Sequence, residues 1–173
     1  MAKLRKMLGN PQDEEVIALM RQIETQSLET LARWALSYAQ EMLLPIYEEM
    51  TQDLRFRPIL VAVEQVLSGE RKLGEIKPQL REAREKAKLT QDPIAQAAAR
   101  GIATACAVLQ TPTNSLGFCF YGAAAVIYHR EGIQLSPDQY DQLAKKEFTA
   151  ILDSLKKKSL AQESNPVKVN WNC

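Results

Sequence analysis

Only one histidine, His129, is available to this chain for acid–base work, so a Ser-His-Asp arrangement could be assembled only around that ring. It lies beside Arg130 at the end of an apolar segment, where a positive group also suits the negative end of a helix dipole. The cysteines number three. Cys106 and Cys119 sit in apolar surroundings that raise a thiol pKa and favour a packing role, and Cys173 is the last residue, expected to be mobile. With one histidine and no CxxC pair, the sequence predicts no metal site and no cofactor. Two other groups of residues could form sites. Arg100, Thr104, Thr113, Asn114 and His129 are polar groups in or beside an apolar hairpin, where they could line a small pocket. Asp53, Arg55, Phe56 and Arg57, with Glu48 and Glu49 nearby, gather both charge signs and an aromatic ring at a break in helical periodicity. Such a set is either a solvated ion-pair network or a surface that a protein partner reads.

The elements that must position these groups are helical. Pro93 to Glu131 reads as two small-residue apolar arms joined by Thr111-Pro112-Thr113-Asn114, with Thr113-Asn114 expected to cap the second arm. Neither arm has a wide polar side, so the hairpin must be buried. The second arm is too short to span a bilayer, and Arg100 interrupts the first. Gly101, Gly117 and Gly122 within the arms predict close helix approach. Around the hairpin, Asn10-Pro11, Ser27, Asp92-Pro93 and Ser136-Pro137 are helix starts, with Asp53 expected to cap the helix after the hinge. Apolar residues recur at helical spacing after each, and Pro45 is expected to kink or interrupt the helix it occupies, with Ile46 and Tyr47 continuing it. On the charged segment after Pro78, Arg81–Glu85 and Glu82–Lys86 are expected i,i+4 pairs.

The fold class expected is all-α: one domain over residues 1–158, a bundle of six to seven helices around the hairpin at 93–131, followed by a flexible tail at 159–173. Lys+Arg 22 against Asp+Glu 21 leaves a formal net charge of +1, which provides no global field for nucleic acid. The opening MAKLRKMLGN has no apolar run behind it, so no secretory signal is expected and the cytoplasm is the default compartment.

The blocks LARWALSYAQEMLLPIYEE, DLRFRP and AQAAARGIATACAVLQTPTNSLGFCFYGAAAV, in that order, resemble the immunity proteins of bacterial polymorphic toxin systems. The resemblance runs roughly from Leu28 to Tyr128. It implies an all-helical protein that binds a protein partner, a toxin, and is not an enzyme. Asp53, Arg55 and Arg57 match that family's Asp–Arg hinge in type, with Phe56 where proline is usual. Ile102 and Asn114 stand where some members carry histidine, so no metal or acid–base role transfers to them. Beside a toxin-binding protein, a helical ligand-binding domain or small enzyme at the hairpin, and a self-associating scaffold forming a homo-oligomer, remain open.

Overall fold

The computed structural model describes residues 3–172, and its regular elements are all helices, with no strand among them. The helices are α1 (Glu14–Ile23), α2 (Leu28–Tyr38), α3 (Leu44–Thr51), α4 (Phe56–Leu67), α5 (Lys77–Leu89), α6 (Pro93–Cys106), α7 (Asn114–Glu131) and α8 (Pro137–Lys158). Because α2 and α3 are joined without a break by a π-helical turn over Ala39–Leu43, the described residues make seven rods. Pro45 explains the turn. It has no N–H to return to Glu41, and the helix widens so that the Leu44 N–H donates back to the Ala39 carbonyl.

The hairpin of α6 and α7 is the centre. Helices α5 and α3 pack on α6, α8 packs on α7 and α1, and α2 crosses both central arms. Small residues allow the close approach: a Cβ at Gly101 would stand 2.7 Å from Leu43 Cδ1, and one at Gly122 would stand 3.0 Å from Tyr38 Cε1. These small-residue faces are thus covered within the chain, by α7 and the bent rod of α2 and α3. Trp34 and Phe118 meet edge-on at 4.9 Å, and the Trp34 indole donates to Ser154 Oγ at 2.9 Å, joining α2 to α7 and α8. Local signals decide several starts. Ser27, Asp92 and Ser136 each accept a backbone N–H in the first turn of the helix that follows.

The chain after Lys158 departs from the expectation of a flexible tail, because residues 159–172 lie across the corner between α1 and α2. The buried Gln26 side chain accepts from Leu160 N and donates to Leu160 O, while its carbonyl accepts from Val167 N. The Glu163 carboxylate accepts from Ser27 N and Thr30 Oγ1, and the Trp171 indole donates to Glu24 at 2.7 Å. Val167 and Trp171 pack against the core. A polar stretch with three spaced apolar residues gives no helical signal, but those residues can still be held by a partner surface elsewhere in the chain. Cys173 lies outside the described residues.

Candidate functional site at the Asp53 corner

The site is made by the α3–α4 corner and the end of α5. The chain leaves α3 through Gln52, whose φ of 56° puts it in the left-handed region, and its N–H still donates to Glu48 O at 2.8 Å. This sharp exit turns Asp53 inward. Its Oδ1 accepts the Arg55 N–H and Arg55 Nε, both at 2.9 Å, and Oδ2 accepts Arg55 Nη2 at 3.0 Å, Lys86 Nζ at 2.8 Å and Tyr47 Oη at 3.0 Å. The Arg55 and Lys86 donors, in that order of weight, hold the Asp53 carboxyl well below the usual carboxylate range against the opposing effect of burial. Burial and the neighbouring Asp53 carboxylate push the Tyr47 phenol up. Asp53 thus turns the backbone toward α4 rather than acting as its side-chain cap; Arg55 occupies the cap position without a side-chain bond.

Arg57 forms a second fork, Nε to Glu48 Oε2 at 2.8 Å and Nη2 to Glu48 Oε1 at 2.7 Å. Arg55 and Arg57 both face solvent, with side chains 76% and 58% exposed, while their carboxylates are mostly covered. The guanidiniums are therefore oriented by partners beneath them and present their outer edges to solvent. A cleft of about 330 Å3 lies beside the corner, lined by Tyr47, Asp53, Arg55, Lys86 and Leu89. Leu89 is 77% exposed, and Leu54 and Val61 are also exposed. Arg57 and Val61 are one turn apart on α4 and share its outer face.

Phe56 corrects the sequence-based expectation. It is fully buried, edge-on to Tyr47 at 4.8 Å, with the Lys86 ammonium 5.8 Å from its ring centroid. The first residue of α4 points into the core because Ile59, Leu60 and Val63 continue that buried face. The exposed apolar contacts at this corner are instead Leu54, Val61 and Leu89.

Lys86 is the residue that sequence reasoning assigned differently. The expected Arg81–Glu85 and Glu82–Lys86 ion pairs do not form; Lys86 pairs with Asp53, with its side chain only 10% exposed. Its position three residues after the buried Ala83 places it on the covered side of α5, which was the available signal.

The hairpin polar groups do not make one pocket. Asn114 and His129 stand fifteen residues apart on α7, about 22 Å along the helix at 1.5 Å per residue. Thr104 is satisfied by Arg100 O at 2.8 Å, and Thr113 is exposed. Arg100 is half-buried, with Nε unpaired among the described residues. Thr113 stands at the N-cap position of α7 but makes no side-chain cap bond, and the Asn114 side chain donates instead to Ala107 O at 3.0 Å in the preceding helical segment. His129 pairs with Glu49 at 2.5 Å, an exposed contact between α7 and α3. Cys106 and Cys119 are both free and buried, and burial pushes the Cys106 thiol up to about 12. Among the described residues, no group of three or more His, Cys, Asp or Glu side chains is gathered for a metal ion, and no helix is long and apolar enough to cross a membrane.

A comparison with family models matches the chain to the Imm-5 like putative immunity protein family over residues 21–154. That span includes the whole Asp53 corner and the central hairpin. No curated protein and no solved structure matches the chain.

Proposed function

The chain belongs to the Imm-5 like putative immunity protein family, and from that membership we propose that it neutralises a toxin by direct protein–protein association through the Asp53 corner. The observation that carries the proposal is two pre-oriented, exposed guanidiniums, Arg55 and Arg57, with exposed apolar residues beside each: Leu54 precedes Arg55, Leu89 lines the same cleft as Arg55, and Val61 is one turn after Arg57. Arginine and apolar groups in one patch are the composition of an interface centre, and charge on a rigid base speeds encounter and rejects wrong partners. Holding each guanidinium from below reduces the ordering cost of association.

Binding rather than catalysis is the reading we adopt. Asp53 is held so firmly ionised that it is a weak proton acceptor, and burial raises the pKa of the Cys106 and Cys119 thiols, which makes them weak nucleophiles. The test is association with a toxin domain encoded beside the gene, measured by calorimetry, together with protection of cells expressing that toxin. Arg55→Ala combined with Leu89→Asp is expected to weaken binding by about tenfold or more and abolish protection, with an unchanged melting curve. Full affinity in this variant, or protection without a complex, would overturn the reading.

A further inference from the structure

Helix α5 carries a row of cations that neither the core nor the Asp53 corner uses. Lys77, Arg81, Arg84 and Lys88 are all exposed, and they follow one another at spacings of four, three and four residues. At the helical repeat the four lie within about 60° of arc, in a single row about 16 Å long. The row runs beside the buried face of Leu80, Ala83 and Ala87, and Glu85 and Glu82 follow it around the helix on the other side. Lys88 reaches Glu85 at 3.3 Å, in a pair whose side chains are 65% and 58% exposed. The side chains of Lys77, Arg81 and Arg84 make no ion pair or hydrogen bond among the described residues.

This row is unfavourable for the helix that bears it. Like charges three and four residues apart repel. Lys77 also stands at the first position of α5, at the positive end of the dipole, in a first turn with no acidic residue. By contrast, α1 opens on Glu14 and Glu15. A solvated helix surface ordinarily interleaves the two signs. A single-sign row that the chain leaves uncompensated is completed by carboxylates from another molecule.

The narrowness of the row selects the partner. A nucleic-acid duplex placed on it would meet Glu82 and Glu85, and α5 has no aromatic ring on which the bases of a single strand could stack. Carboxylates along one face of a helix match the cations in length and avoid those two glutamates. We propose that α5 docks an acidic helical face of a protein partner, with Arg81 and Arg84 taking its carboxylates and Lys77 and Lys88 extending the contact. The proposal rests on the reading that the chain acts by protein association. It adds a second surface beside the Asp53 corner, which the last turn of α5 joins through Lys86 and Leu89.

The test is NMR titration of the whole chain with an alanine-rich helical peptide of about 20 residues bearing Glu at i, i+4, i+7 and i+11, against the same peptide with Gln at those positions. Saturable shifts centred on α5 are expected for the Glu peptide alone, with affinity falling about tenfold from about 0.05 to about 0.5 M salt. Arg81→Glu combined with Arg84→Glu should abolish this binding and gain binding to a peptide with Lys at i+4 and i+7. Both side chains are exposed and unbonded, so the fold of that variant should persist. No saturation at low salt, equal binding of the Gln peptide, unchanged affinity in the variant, or tighter binding of a DNA duplex than of the Glu peptide would overturn the proposal. Peptide binding without a toxin complex would defeat toxin neutralisation and leave this surface standing; a toxin complex without peptide binding would do the reverse.

Discussion

Replacing Asp53 by alanine removes the group on which the α3–α4 corner converges, and the structure sets the size of the loss. Lys86 Nζ at 2.8 Å and Tyr47 Oη at 3.0 Å both lose their acceptor, and the lysine side chain is only 10% exposed. Breaking a covered ion pair by removing one partner leaves an uncompensated charge, which costs about 3 kcal/mol at the lower end of such cases. The exposed Arg55 fork adds little, because water replaces what it loses. In a chain of this size that loss lowers the melting temperature by about 6–12 °C. Lys86→Met should cost less, about 1 kcal/mol, because Asp53 keeps its Arg55 and Tyr47 donors while the methionine keeps the stem against Phe56. The double variant should therefore be less destabilised than the sum, with a coupling of about 1–2 kcal/mol in urea denaturation. The pH dependence has a definite sign. Asp53 titrates below its ordinary value of 3.8 in the folded protein, so its contribution is present above that value and is lost as pH falls through the folded pKa. The stability gap between wild type and Asp53→Asn should be constant near neutrality and narrow from about pH 4 downward. A cost below about 1 kcal/mol for Asp53→Ala, or strict additivity with Lys86→Met, would refute the assignment of Lys86 to this carboxylate.

Phe56→Ala should destabilise by about 3–5 kcal/mol in the same denaturation assay, as a fully buried ring demands; a neutral result would return Phe56 to the surface. Gly122→Leu should cost about 1–3 kcal/mol through collision with Tyr38, read as a shift in denaturation midpoint without change in slope. Deleting residues 161–173 should raise amide exchange at the start of α2, where Glu163 now accepts from Ser27 N, and leave exchange in α6 and α7 unchanged.

What could be read from the sequence followed the range of each interaction. Ser27, Asp92 and Ser136 cap within three residues, so their roles need no tertiary knowledge. The hairpin was legible because its small apolar residues leave no side for water. Asp53 and Lys86 are thirty-three residues apart, and a local i,i+4 rule offered Lys86 a nearer carboxylate in Glu82. Phe56 follows a break in helical periodicity, which signals surface, yet as the first residue of α4 it already belongs to that helix's buried face. The docking of residues 159–172 depends on Gln26, a side chain whose own position was silent about a partner 134 residues later.

That docking has a consequence for the order in which the molecule is made. A ribosome finishes α2 early, yet the N–H of Ser27 and the hydroxyl of Thr30 find their acceptor only when Glu163 has been synthesised. Gln26 likewise waits for Leu160 and Val167. The opening turn of α2 is therefore completed only after residues 160–167 have been made. A nascent chain stalled after α8 would have its central hairpin in hand but this corner still hydrated.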